Sequence, residues 1–242
     1  MANLIKNYLK FLWSEAAKSN NEILTSFIEP VREAKILDLG CDTGELIIKR
    51  VKKIKKTEIW GIDIRRKAIL ASKKLGIKAI EGDIEKGLPF KDNFFDIVSA
   101  NQIIEHLIDV DKFVKEINRV LKPKGYIVLS TENLSSWHNL LSLLLGWQAF
   151  SQNISSSGNL GNPFRLVNCK NLDQSNMHVK ILTPQGLKGI FNFHGFKIKN
   201  FFGAGYYPFP PPISNLLSKV DPIHCAFIGL KAGKFGGTKL DE

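Results

Sequence analysis

Three cysteines, Cys41, Cys169 and Cys225, are all that this chain of 242 residues contains. The count is odd, and no CxxC pair or Cys/His ligand spacing goes with it. A disulfide framework and a structural zinc site are therefore disfavoured, no metal is expected, and a reduced, intracellular setting fits better. Long hydrophobic runs are also missing. The longest, residues 140–150, is about half of the ~20 residues that a membrane span needs. The N-terminus (MANLIKNYLKFLWSEAAK) is amphipathic, with no continuous apolar h-region and no small-residue cleavage site, so no signal peptide is expected. No internal repeat and no clean linker divides the chain. One soluble, cytoplasmic domain over 1–242 is the expectation, long enough to bury roughly 70% of its unfolded surface.

Acidic residues are in the minority, 23 against 34 Lys and Arg, for a net charge of +11. Residues 49–74 alone hold eleven Lys or Arg against two acids. Such an excess raises a nucleic-acid or anionic-membrane partner as a first idea. No appended RNA-binding module and no basic motif interleaved with aromatics supports it.

What is present is a rhythm. Short apolar runs at 35–39, 58–62, 78–81, 94–100 and 126–131 alternate with helical spacing at 45–54, 65–75 and 110–121. Phe113, Ile117, Val120 and Leu121 form the clearest helical stripe. Strand–helix alternation of this kind predicts βαβ units around a parallel sheet covered on both faces. Before it, residues 4–29 carry a helical pattern that Pro30 ends. After it come a helix at 137–147, a Ser/Asn/Gly-rich stretch at 151–176, a helix at 184–194, and two strands at 196–202 and 225–231. Between those strands a short helix near 214–219 follows the aromatic and proline-rich residues 206–212. Lys122–Gly125 reads as a tight turn. The predicted architecture is α/β: a Rossmann-like, doubly wound, mostly parallel sheet of seven strands. It has an N-terminal helical cap (1–34) and a lid or substrate insertion after the fifth strand (135–183).

The most informative stretch is Ile36-Leu-Asp-Leu-Gly-Cys-Asp-Thr-Gly-Glu-Leu46. A buried strand enters a turn containing Gly40 and Gly44, and a helix opens there. The glycines allow close backbone approach, and the helix N-terminus offers free N–H groups. Asp63, nineteen residues after Gly44, ends the second strand, where a carboxylate can accept ribose hydroxyls. Asp83 ends the third and is placed to meet an adenine amino group. The turn is not GxGxxG, because Asp42 stands where the middle glycine would be and would repel a pyrophosphate. A ligand with adenine, ribose and a positive group suits these three acids better than NAD.

On these residues the sequence resembles the class I S-adenosylmethionine-dependent methyltransferases. The resemblance rests on LDLGCDTG, the acid of GIDI, GDIEKGLPFKDNFFDIVSANQIIEHL and LKPKGYIVLSTEN, in order over about residues 35–133. LPFKDNFFDIV followed by EHL is most similar to the small-molecule branch of ubiquinone and menaquinone biosynthesis. Asp42 departs from the family, which more often has glycine. The resemblance implies S-adenosylmethionine as cofactor, with Asp38, Gly40 and Gly44 at its methionine end and Cys41 beside them. Asp63 with Ile64 would meet the ribose, Asp83 with Ile84 the adenine, and Asn101 the region of the methyl group.

Methyl transfer needs positioning, exclusion of water and, for a hydroxyl acceptor, a base. The candidate catalytic residues are Glu105 and His106, after the fourth strand, and His178, ahead of the helix at Pro184. His138, His194 and His224 read as structural. Tyr8, Trp13, Trp137, Trp147, Tyr206, Tyr207 and Phe209 are candidates for an acceptor pocket, with 206–212 as a cap over an apolar substrate. The expected partner is a small-molecule acceptor, apolar or anionic, rather than nucleic acid. Its identity and the oligomeric state are not readable. The rival functions are an RNA methyltransferase and a non-catalytic S-adenosylmethionine-binding regulator. Lys49–Lys56 fall at the far end of the helix after the Gly-rich turn and read as a solvated face, leaving Arg65, Arg66 and Lys67 on the cofactor side.

Overall fold

Side chains that alternate along the inner strands serve two cores at once. In the fifth strand Tyr126 and Val128 pack to one side, whereas Ile127 and Leu129 pack to the other. Such strands are covered on both faces, as a parallel sheet requires. A computed structural model describes residues 2–52, 54, 56–157, 160–164 and 177–235. Its strands are β1 (Lys35–Leu39), β2 (Glu58–Asp63), β3 (Lys78–Glu81), β4 (Phe95–Asn101), β5 (Leu121–Glu132), β6 (Phe196–Ala204) and β7 (Phe227–Lys234). They form one seven-stranded sheet in the order β3-β2-β1-β4-β5-β7-β6. The first five run parallel, and β7 lies antiparallel to both β5 and β6.

The helices are α1 (Ala2–Phe27), α2 (Glu45–Val51), α3 (Arg66–Lys74), α4 (Val110–Val120), α5 (Trp137–Leu144), α6 (Pro184–Phe193) and α7 (Pro211–Val220). One face of the sheet carries α1, α2 and α3, through Ala16, Leu24, Ile47, Val51 and Ile69. The other carries α4 and α6, through Phe113, Val114, Ile117, Leu187 and Phe191. Each fully buried Phe or Leu on these faces contributes roughly 2–3 kcal/mol. Local chemistry agrees with the packing. Asp109 caps α4 by accepting from Lys112 N at 2.8 Å, and Thr183 caps α6, whose first residue is Pro184.

Two expectations change in detail. Lys122–Gly125 is not a separate turn. It lies inside β5 as a bulge, with Lys124 at φ 70°, where the pairing to β4 jumps from Phe95–Leu121 to Ile97–Tyr126. The 151–176 stretch lies largely outside the described residues, as does Cys169. The part of the insertion that is described is tied to the sheet. Asn133 bridges to Leu182, and its side-chain amide donates to the carbonyls of Ile223 and Cys225, each at 2.8 Å. Among the described residues no helix is long and apolar enough to cross a membrane.

The strand order places the ligand edge. The chain moves outward from β1 to β3 and returns with β4 beside β1. The crevice at the carboxyl ends of β1 and β4 is thus a topological switch point, where open α/β sheets bind ligands.

Candidate functional site

The loop after β1 has its shape forced on it. Gly40 (φ 67°), Asp42 (φ 46°) and Gly44 (φ 82°) all lie in the left-handed region. A Cβ at Gly40 would run into Ile103, and one at Gly44 into Ile77. Asp is among the few other residues that tolerate this region, so the chain keeps the bend without the family's glycine. The backbone of Gly40 and Cys41 donates to the Ile62 carbonyl at 2.9 and 3.1 Å, which fixes the loop against β2. Cys41 is buried, and burial pushes its thiol up to about 12, so it packs rather than reacts.

Around this loop the three predicted acids gather on one cleft of about 780 Å³. Asp63 is buried at the end of β2, accepting from the Asp42 backbone N–H at 3.0 Å and from Arg65 Nε at 3.1 Å. Arg65 also reaches Asp42 at 3.1 Å. Far from being a free cation for an anionic acceptor, it bridges two carboxylates. Asp83 lies on the cleft and also caps a short 3-10 helix, Ile84–Lys86, accepting from Glu85 N at 3.0 Å. Ile64 and Ile84 supply apolar walls beside Asp63 and Asp83.

Asp38 is the surprise among the acids. It is buried under the loop with the Arg50 guanidinium 4.0 Å away. Burial raises its carboxyl to about 6, with Arg50 opposing the rise. Arg50 belongs to the basic stretch expected to be a solvated face, yet it is 6% exposed and lines the cleft floor. It donates to Ser99 Oγ at 3.2 Å and to Asn21 Oδ1 at 2.6 Å. The network continues through Asn101, whose Oδ1 accepts from Ser130 Oγ at 2.6 Å and from Asn20 at 3.2 Å. Asn20, Asn21 and Arg50 were missed. Their only signal was a polar pair inside the apolar stripe of α1 and an arginine amid lysines.

Beyond Asn101 and Gln102, whose Nε2 donates to Ser130 Oγ at 3.4 Å, the cleft becomes largely apolar. Ile103, Leu107, Ile108, Met177 and Val179 line it, with His106 the polar group among them. Glu105 and His178 stand directly behind His106. The two imidazoles meet edge to face with centroids 4.7 Å apart. Glu105 is fully buried, and its Oε2 accepts from Thr131 Oγ1 at 2.9 Å. Burial lifts its carboxyl to about 7. Burial acts against a charged His178, but Glu132, 3.6 Å away, and Glu105 outweigh it and raise that imidazole to about 9. His106 moves the other way, because burial and the neighbouring His178 lower its pKa. The segment bearing His178 is strapped across by the backbone. Val179 and Lys180 donate to the Glu105 carbonyl at 2.8 and 3.1 Å.

The aromatic candidates are not in this cleft. Trp13, His138 and Tyr207 pack on one another, with Phe227 and Phe150 around them, as a cluster between α1, α5 and the loop after β6. Tyr206 donates to Asp221 at 2.7 Å, Trp147 stacks on Phe164, and Tyr8 is exposed beside Phe11. Residues 206–212 thus brace α1 and α7 rather than cap the described cleft. The expected structural histidines do have partners: His194 meets Asp111 at 2.7 Å and His224 meets Asp221 at 2.8 Å.

A glycine loop at a switch point, with carboxylates at or just past the ends of β1, β2 and β3, is an arrangement by which open α/β sheets hold a nucleoside. Residues 37–129 match the family model described as a methyltransferase domain. A demethylmenaquinone methyltransferase of Chlorobaculum tepidum is 34% identical over 128 residues, 51% of this chain and 49% of that protein. One of Lactobacillus johnsonii is 32% identical over 123 residues, 47% and 49% of the two chains. The chain spans about half the length of these curated relatives. The fold is similar to that of an S-adenosylmethionine-dependent methyltransferase of Listeria monocytogenes, described as putative (TM-score 0.61, 15% identity, 90% of this chain and 97% of that one). A Thermotoga maritima structure described as a possible histamine N-methyltransferase aligns at TM-score 0.60 and 17% identity, over 97% and 96% of the two chains. Residues 37–129 thus match a methyltransferase domain, the fold is shared with structures described as S-adenosylmethionine-dependent methyltransferases, and together these imply S-adenosylmethionine as the cofactor.

Proposed function

We propose that the protein methylates a small, largely apolar acceptor held in the cleft beyond Asn101. The observation that carries this reading is the change in the wall along one cleft: carboxylates and loop backbone at one end, aliphatic side chains around a lone imidazole at the other. The residues present fit the cofactor. The left-handed loop at Gly40 and Gly44 lets its backbone lie against the methionine part, with Asp38 and Arg50 beneath. In this reading Asp63 takes the ribose hydroxyls, Asp83 the adenine, and Asn101 the reacting end, all three lying on the cleft. When bound, S-adenosylmethionine supplies an activated methyl group for in-line displacement.

The chain's own contribution is positioning and exclusion of water. Ile103, Leu107, Ile108, Met177 and Val179 keep the acceptor end dry, and the 177–180 strap closes over Glu105. Met177 and Val179, at the end of the insertion, supply the acceptor-side wall. His178, charged and held between two glutamates, is a poor base. His106, whose pKa is lowered, is neutral near pH 7 and presents a lone pair to the cleft, so it accepts the acceptor's proton. The bacterial relatives' names agree with a small-molecule acceptor.

The test is transfer of radiolabelled methyl from S-adenosylmethionine into a cell extract fractionated into lipids, small metabolites and RNA. Label in the organic or small-metabolite fraction is expected. Label confined to RNA would overturn the acceptor assignment, and no label in any fraction would favour a binding protein without catalysis.

A further inference from the structure

We infer that Glu105, His106 and His178 form a binding site for one divalent transition-metal cation at the acceptor end of the cleft. One ligand atom from each of these residues lies within 4.8 Å of the others. The hydrogen bonds prepare both rings. His106 Nδ1 lies 3.0 Å from the Met177 carbonyl oxygen, and His178 Nδ1 lies 3.0 Å from the Ser151 carbonyl oxygen. A carbonyl oxygen only accepts, so each Nδ1 carries a proton, and Nε2 is the nitrogen left for a cation, which at His178 would displace the second proton of the charged ring. Orienting a metal-binding imidazole through its other nitrogen is the usual arrangement at such centres, often with a carboxylate behind it. Glu132, 3.6 Å from His178 Nδ1, stands in that place.

The third ligand is the observation that points to an occupant. Glu105 is 0% exposed, with one oxygen on Thr131, while Oε1 has no hydrogen-bond partner. A buried carboxylate oxygen without a partner is costly. Two imidazoles and one carboxylate suit Zn²⁺, Mn²⁺, Fe²⁺ or Co²⁺ rather than Ca²⁺ or Mg²⁺, and three protein ligands leave positions open. Because His106 lines the cleft, an open position faces the acceptor. A cation there would take the acceptor's hydroxyl oxygen as a further ligand and favour loss of its proton to solvent. His106, its lone pair then committed, would no longer be the base. What the cation does to an acceptor rests on the proposed function, but its binding does not.

The experiment is titration of the untagged full chain with cobalt(II) chloride, followed by visible absorption and then by competition with zinc chloride. In parallel, S-adenosylhomocysteine binding is measured by calorimetry. One cobalt per chain with d–d bands that zinc abolishes is expected. Affinity should fall at least about 100-fold in His106→Ala, His178→Ala and the near-isosteric Glu105→Gln. His224→Ala should leave it unchanged. A chain that binds S-adenosylhomocysteine but gives no cobalt bands would overturn the cation site alone. So would cobalt binding that survives in the His106→Ala/His178→Ala double variant. Cobalt binding without S-adenosylhomocysteine binding would sustain the cation site and count against the methyltransferase reading.

Discussion

Between Asp38 and Ile84, the groups that face the cleft sit at the ends of β1, β2 and β3, on the short connections that follow them and, for Glu45, Leu46 and Arg50, on α2. Beyond Asn101, the wall is assembled from the turn after β4 and from residues 177–180, with Thr131 and Glu132 of β5 behind them. The donor side is thus held by backbone geometry and short-range hydrogen bonds, such as those from Asp42 and Arg65 to Asp63. The acceptor side is held by contacts between segments some seventy residues apart, such as His106 to Met177. A site of the first kind tolerates little change in its own stretch and reaches outside it mainly through Asn20 and Asn21 of α1. One of the second kind can be reshaped by its insertion while the cofactor site stays intact.

That contrast can be broken in several places. The largest effect is expected from Asp63→Ala, which removes charge-assisted hydrogen bonds worth about 1.5–3 kcal/mol each. Affinity for S-adenosylhomocysteine should drop at least about 100-fold in calorimetry, with an unchanged circular dichroism spectrum. Arg50→Met comes next. It leaves the Asp38 carboxyl buried without its partner, a loss of about 3 kcal/mol in urea denaturation. Gly44→Ala forces a side chain into a left-handed residue against Ile77, and should cost about 1–2 kcal/mol in the same assay while weakening the cofactor.

Smaller effects are expected outside the core of the donor side. Burial lowers His138 to about 4, against an ordinary 6.5. The unfolded chain therefore takes up this proton before the folded one does. The stability it contributes is present above pH 6.5 and is lost as pH falls from about 6.5 to 4. His138→Phe should flatten that limb by about 1–2 kcal/mol in pH-dependent denaturation. Arg65→Ala should have the smallest effect. Its half-exposed guanidinium competes with ribose for Asp63, and a surface pair is worth under about 1 kcal/mol, so cofactor affinity should rise a few-fold at most.

The same division governs what could be read from the sequence. The seven strands and the cofactor side are written in local terms: apolar runs between turns, glycines at fixed offsets, an acid at each strand end. Arg50 could not be found this way. Seven residues of α2 carry it back toward β1, and only the packing of α2 against the sheet decides that it points inward while Lys49 and Lys52 stay in solvent. The aromatic residues misled for the mirror-image reason. Consecutive Tyr and Pro at 206–210 look like a cap, but α1 folds over the sheet and takes them up. Glu105, His106 and His178 were singled out one at a time. Their meeting depends on a strap of backbone from 177–180, whose spacing in sequence carries no metal-ligand pattern.

The separability of the two sides is tested most directly by one calorimetric series, S-adenosylhomocysteine titrated into the wild type, Asp63→Ala and His178→Ala. Binding that is lost in Asp63→Ala and retained within a few-fold in His178→Ala is the predicted result. Equal loss in both, or full affinity in Asp63→Ala, would contradict it.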